Sequence, residues 1–171
     1  MNKLLLVAVS LVVASSLHAG MSFGLSSTQF GDTDSEVGFT LGVDSTFYEP
    51  ESIAGVGIGL YFDVDYYGME DVKSIDESIN AGTNVDAGLL VNYTFNQKIF
   101  PVEAYAGVGY GGGLLGSNLS YDGLNYQAGA TFNINERHGV GVRYKHNDME
   151  LSVGDIDDGL DIISLYWRYE K

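Results

Sequence analysis

Two histidines outside the first 19 residues, His138 and His146, are the side chains best suited to general acid–base chemistry near neutral pH. A catalytic site built on either one would also need a nucleophile and a group that orients the imidazole. No nucleophile stands beside His138 in the chain. A set of His146, Ser152 and an aspartate could assemble across loops, but no spacing selects it. The sequence therefore predicts a protein without enzymatic activity.

Two further motifs resemble ligand-binding loops without meeting their requirements. The glycines at 107, 109 and 111–113 do not open a helix, so they lack the helix N-terminal amides that hold a phosphate. The segment 155–159 offers carboxylates, which are suitable calcium ligands, but its spacing is not that of an EF-hand. We predict no cofactor and no metal site.

The charge of the chain excludes one class of partner. Lys and Arg number 8 against 23 Asp and Glu, which gives a formal net charge of −15. Nucleic-acid binding requires clustered basic residues, so we expect no nucleic-acid partner. A hydrophobic content of 45% with 12% aromatics argues against disorder. There is no cysteine, so disulfides do not stabilise the fold.

The first residues have the pattern of an export signal. Lys3 precedes an apolar run over 4–13, and Ala19 provides a small residue at the expected cleavage position. The run is shorter than a transmembrane helix, which needs about 20 apolar residues. We predict a signal peptide over 1–19, cleaved after Ala19, and one domain over 20–171.

A strict period of two marks the predicted strands. Between residues 55 and 66, every second position is apolar and the intervening positions are mostly glycine or aspartate. The solvent face of a soluble sheet usually carries long charged side chains, whereas glycine suits a crowded interior. An apolar outer face with a small or polar inner face is typical of a transmembrane β-barrel.

The alternation recurs eight times, near 21–26, 37–44, 55–66, 84–95, 102–111, 124–134, 140–145 and 162–169. The predicted connections alternate between long (27–35, 68–82, 112–122, 147–159) and short (48–52, 96–98, 135–138). Bacterial outer-membrane barrels combine short periplasmic turns with longer external loops. We therefore predict an all-β fold, an eight-stranded antiparallel up-and-down transmembrane β-barrel with both termini in the periplasm.

The chain resembles the small eight-stranded outer-membrane proteins, such as the OmpA transmembrane domain and OmpX-like barrels of the porin family. The resemblance implies that Leu165, Trp167 and Tyr169 form the terminal insertion signal that the outer-membrane assembly machinery reads. Members more often end at the aromatic residue, whereas Glu170 and Lys171 follow it here. Neither histidine has the serine two residues on that the deacylase type of barrel uses.

The same resemblance implies a location and partners. We expect a monomer at the cell surface, in the outer membrane of a Gram-negative bacterium, in contact with lipid and lipopolysaccharide. Acidic residues in the predicted outer loops would form a solvated surface or bridge divalent cations to lipopolysaccharide. They are Asp32, Asp34, Glu36, Glu70, Asp71, Asp76, Glu77, Asp148, Glu150, Asp155, Asp157 and Asp158.

An apolar outer face forces several charged side chains into the barrel, namely Asp44, Asp63, Asp65, Asp86, Glu103, Arg143, Lys145 and Arg168. Buried charges are costly unless they are paired. We expect Glu103 and Asp44 to satisfy Arg143 and Arg168. The remaining aspartates should lie farther from the periplasm, near Lys145 or water.

Two functions stay open at this point. A filled core would give a non-catalytic structural barrel that displays four extracellular loops, for membrane integrity or surface interaction. A continuous polar lumen would give a narrow passive channel for ions or small solutes. Because eight strands leave an interior just wide enough for side chains, the sequence favours the first.

Overall fold

The computed structural model describes residues 19–30, 36–68, 81–95, 99–116, 119–151 and 157–170. They form eight strands: β1 (Ala19–Phe30), β2 (Glu36–Tyr48), β3 (Val56–Gly68), β4 (Ala81–Thr94), β5 (Val102–Leu115), β6 (Leu119–Asn133), β7 (His138–Leu151) and β8 (Asp157–Glu170). Each strand pairs antiparallel with the next, and β8 pairs with β1. The predicted closed eight-stranded barrel is confirmed. None of the described residues belongs to a helix long and apolar enough to cross a membrane.

Several residues discussed above lie outside the described residues, so their predictions stay predictions. They are 1–18, Asp32, Asp34, Glu70, Asp71, Asp76, Glu77, Ser152 and Asp155.

Period-two alternation explains which side chains face outward. On β2, Phe39 and Leu41 are 60% and 59% exposed, while Thr40 between them is buried. On β8, Leu165 is exposed and its neighbour Ser164 is buried. This is the reverse of a soluble protein, in which large apolar side chains are the buried ones. The barrel therefore presents an apolar wall to its surroundings and encloses a polar core.

Inward glycines make room for inward tyrosines. The Tyr61 side chain is buried, and a Cβ added at Gly88 or Gly107 would lie 2.7 Å or 3.0 Å from its Cε1 atom. The same complementarity recurs in four more pairs around the lumen: Tyr67 with Gly82, Tyr105 with Gly129, Tyr121 with Gly113 and Tyr166 with Gly141. Glycine is thus used here for close approach rather than for a special backbone conformation.

The connections do not follow the predicted alternation of length. At the end of the barrel that holds both termini, called the terminal end below, the connections are 49–55, 95–101 and 134–137. At the opposite end they are 31–35, 69–80, 116–118 and 152–156. The predicted long loops 112–122 and 147–159 are wrong, because the flanking strands continue through most of both segments.

The glycine run explains the first of these errors. Gly112 and Gly113 look like loop residues, but they pair with Asp122 and Tyr121 across the β5–β6 ladder. A glycine weakens a strand without preventing its backbone hydrogen bonds. The Tyr121 side chain lies over Gly113, so the missing side chain is replaced from the neighbouring strand.

We predict that Gly88→Ala lowers the free energy of unfolding by about 1–3 kcal/mol, the usual cost of overpacking a filled interior. The new methyl group would meet the Val108 carbonyl and the Tyr61 ring. Gly68→Ala is the matched control, because its methyl group would have no neighbour closer than 3.8 Å. Urea unfolding of both refolded variants measures the difference, and equal midpoints would contradict this packing.

Candidate functional site

The lumen holds two groups of charged side chains. The first, the central cluster, consists of Asp63, Asp65, Asp86, Arg143 and Lys145, all buried. Asp63 and Asp65 lie two apart on β3, and Arg143 and Lys145 lie two apart on β7, so each pair points to the same face of its strand. These two strands face each other across the lumen, which brings the charges together.

The central cluster is densely paired. Arg143 Nη1 donates to Asp63 Oδ1 at 2.5 Å, and Nη2 donates to the Thr40 hydroxyl. Lys145 Nζ donates to Oδ2 of Asp65 and to Oδ2 of Asp86, both at 2.7 Å. Such charge-assisted hydrogen bonds are about twice as strong as neutral ones. They connect β3, β4 and β7 through the middle of the barrel.

The second group, the terminal cluster, consists of Asp44, Glu103, Arg168 and Glu170 near the terminal end. The Arg168 guanidinium lies 2.6 Å from Glu103 Oε1, 2.7 Å from Asp44 Oδ2 and 3.0 Å from Glu170 Oε1. It joins β2, β5 and β8, which are distant along the chain. One arginine therefore connects three strands at this end.

The pairing of Arg168 is the one we expected, whereas that of Arg143 is not. Arg143 aligns with Ser164, four residues along β8 from Arg168. At about 3.3 Å per residue, that separates the two backbone positions by about 13 Å along the strand. At its position Arg143 pairs with Asp63 instead.

Carboxylates outnumber cations in both clusters. The central cluster has three carboxylates for two cations, and the terminal cluster has three for one. Lys145 and its partners Asp65 and Asp86 are 0% exposed. Removing a cation from such a group leaves buried negative charge without compensation. The resulting loss of stability is larger than the net stabilisation that the ion pair contributes.

Neutral hydrogen bonds fill the space around the charges. Tyr61 donates to Asn125 at 2.5 Å, Tyr121 donates to Asn84 at 3.0 Å, and Tyr166 donates to Tyr105 at 3.2 Å. A cavity of about 20 Å³ remains between the two clusters, bordered by residues of both. That volume accommodates one or two water molecules. The chemistry of this interior is therefore suited to holding strands together.

The comparisons with known proteins agree with this architecture. The family described as "Outer membrane protein beta-barrel domain" matches residues 4–165. The chain belongs to this family of outer-membrane β-barrels. No curated protein sequence matches it.

Solved structures share the fold at low sequence identity. The attachment invasion locus protein Ail of Yersinia pestis is 17% identical, with a TM-score of 0.60, covering 90% of this chain and 98% of Ail. OprG of Pseudomonas aeruginosa is 13% identical (TM-score 0.54; 90% and 95% covered). The outer-membrane enzyme PagL is 16% identical (TM-score 0.53; 87% and 97% covered). The expected resemblance to small outer-membrane barrels is confirmed, and these likenesses show the fold alone.

The outer wall also carries a polar group built on His146, for which the sequence named no particular aspartate as partner. His146 lies just beyond the apolar band, on the side away from the termini, with Nδ1 2.8 Å from Asp161 Oδ1 and Nε2 3.1 Å from Asp148 Oδ1. The Tyr144 hydroxyl donates to the same Asp161 oxygen at 2.6 Å. Asp161 lies on β8 just before the predicted run 162–169, and the β7–β8 register aligns it with His146.

This group contains a histidine and an orienting carboxylate, two of the three parts of a catalytic set. Within the described residues no hydroxyl nucleophile is hydrogen-bonded to His146. No metal-binding group of three or more His, Cys, Asp or Glu occurs there either.

The second histidine and the expected insertion signal occupy the outer wall near the terminal end. The His138 ring lies between Trp167 and Tyr169, with ring centroids 5.4 Å and 5.3 Å away. Leu165, Trp167 and Tyr169 all face outward along β8.

We predict that Lys145→Met destabilises the barrel by about 3–5 kcal/mol, as expected when one partner of a buried ion pair is removed. Arg143 would then contact only Asp63 and Asp65, and Asp86 would lose its ion-pair partner. Adding Asp86→Asn removes one of the uncompensated charges and should recover part of the loss. Urea midpoints of the single and double variants provide the measurement, and a midpoint of Lys145→Met equal to that of the unmodified barrel would refute the arrangement.

We predict a pH-dependent contribution from His146. The hydrogen bond to Asp161 raises the pKa of His146 above its usual value. Stabilisation by this pair is therefore fully present below the ordinary histidine pKa of about 6.5 and is lost as pH rises through the raised value. Because both side chains are more than a third exposed, we expect less than about 1 kcal/mol.

Lowering the pH from 9 to 5.5 should raise the urea unfolding midpoint more for the unmodified protein than for the His146→Gln variant. Asp161→Asn is the control, since it keeps the histidine but removes the charge that holds its proton. An identical pH profile for the protein and the His146→Gln variant would contradict the assignment.

Proposed function

We propose that this protein is a non-catalytic structural barrel of the bacterial outer membrane that displays its loops at the cell surface. It is exported with the signal peptide 1–19, which is cleaved after Ala19, and it functions as a monomer in contact with lipid and lipopolysaccharide. The occupied lumen is the observation that carries this proposal.

The lumen is closed at two levels by charged side chains. At the central level, Arg143 and Lys145 reach across from β7 to the aspartates of β3 and β4. At the terminal level, Arg168 reaches Glu103 and Asp44. The cavity between the levels has room for only one or two waters. This filling favours mechanical stability over permeation.

The longest connection of the barrel supports an orientation with both termini in the periplasm. Beyond the apolar band at the end away from the termini, the outer wall carries Asp122, Asp148 and Asp161, and the longest connection is 69–80. External loops of bacterial barrels are the longer ones. An acidic rim at that end would either be solvated or attract divalent cations beside lipopolysaccharide phosphates.

The outward row of Leu165, Trp167 and Tyr169 supports recognition by the assembly machinery. The three side chains form one continuous apolar and aromatic stripe on the last strand. Aromatic rings also favour the membrane interface, which suits their place near the terminal end.

Conductance in a planar bilayer tests this function. We expect the refolded mature chain, once heat-modifiable migration on a gel shows that it is folded, to give no conductance steps. A double variant, Arg143→Ser with Arg168→Ser, is the positive control, because it removes one of the two cations that close the central level and the cation that closes the terminal level. Steady ohmic steps from the unmodified barrel would overturn the proposal and assign the protein as a narrow passive channel.

A further inference from the structure

We propose that signal-peptide removal places the new α-ammonium group of Gly20 in the terminal cluster, where it pairs with Asp44. The inference rests on the proposed cleavage after Ala19. It assigns a role to the processed chain end that goes beyond export: the cut itself supplies a cation to the barrel interior.

The strand register brings Gly20 to the right place. Its backbone aligns with Asp44 on β2 and with Glu170 on β8. Gly20 faces the lumen, where a Cβ would lie 3.0 Å from Asp44 Oδ1 and 2.6 Å from Arg168 Nε. The amide nitrogen is bonded to the same Cα, so standard bond lengths put it no farther than about 5.5 Å from Asp44 Oδ1.

The terminal cluster has the charge to accept another cation. Three carboxylates, those of Asp44, Glu103 and Glu170, contact the single guanidinium of Arg168. Asp44 uses only Oδ2 for its hydrogen bond to Arg168, so Oδ1 is left for a further donor within the described contacts. An ammonium group offers three such donors and halves the excess of negative charge.

Cleavage changes both the charge and the freedom of this nitrogen. In the precursor it is a neutral amide held between Ala19 and Gly20. In the processed chain it is a cation that can turn about the Gly20 Cα–C bond toward Asp44 Oδ1 and away from the guanidinium. A side chain at this position would meet Arg168 Nε at 2.6 Å and displace that arginine. Processing therefore adds an ion pair that only the mature barrel contains.

A double-mutant cycle on the mature chain 20–171 tests the pair. Chains with a free or a selectively acetylated α-amine are compared in the unmodified and the Asp44→Asn backgrounds, by urea unfolding in detergent micelles. Asp44 is mostly but not fully buried, so we expect acetylation to lower the folding equilibrium constant about tenfold in the unmodified background. In Asp44→Asn, acetylation should have little effect. Equal effects in both backgrounds would overturn the proposal.

A chain that begins at Ala19 tests whether the position of the ammonium group matters, and not only its charge. It keeps an ammonium group but moves it by one residue, about 3.3 Å along the strand. We expect it to lose most of the coupling to Asp44, and full retention of that coupling would also overturn the proposal.

The mass of the protein recovered from outer membranes tests the cleavage site independently. A mass that corresponds to residues 20–171 supports the cut after Ala19. Any other N-terminus would refute the cleavage and with it the ammonium group at Gly20 in the cell. The coupling measured on the refolded chain would then still report whether the cluster can bind that group, so the two failures are distinguishable.

Discussion

Closure of the backbone hydrogen-bond ladder is the constraint on which the rest of this structure depends. In a lipid environment every backbone amide and carbonyl must be paired within the protein, and a sheet with free edges cannot satisfy this. Here the ladder between β1 and β8, from Gly20 with Glu170 to Phe30 with Leu160, removes both edges. With eight strands, closure also fixes a narrow lumen, so the inner side chains must fit a space of set diameter.

That fixed diameter explains why the interior combines glycine, tyrosine and paired charge. A ring such as Tyr61 can lie over the neighbouring strands only where they carry glycine, as they do at Gly88 on β4 and Gly107 on β5. A charge can point inward only where its partner stands at the same height, as Arg143 and Asp63 do. Packing and electrostatics therefore select residues strand by strand. The outer wall requires little more than apolar character.

The sequence predicted the features that depend on a single strand, such as the direction of a side chain. It did not predict the features that depend on the alignment of two strands, such as the partner of a charge. The alternation correctly placed Arg143, Lys145 and Asp86 in the lumen. The face to which a side chain points depends only on its position along its own strand. The partner of Arg143 depends on the height of β7 relative to β3, and the composition of neither strand encodes that height. The C-terminal end of β5 was missed for the same reason, since Gly113 is made a strand residue by Tyr121 on the neighbouring strand.

A division between interior and surface follows from these constraints. Substitutions in the lumen act on closure and therefore on stability, because each charged side chain there connects strands that are distant in the chain, as Arg168 connects β2, β5 and β8. The surface beyond the apolar band is free of this demand. The His146–Asp161 pair lies in that unconstrained region, where an exposed polar contact does little for the barrel. Selection for function can therefore act on this rim without disturbing the interior that holds it in place.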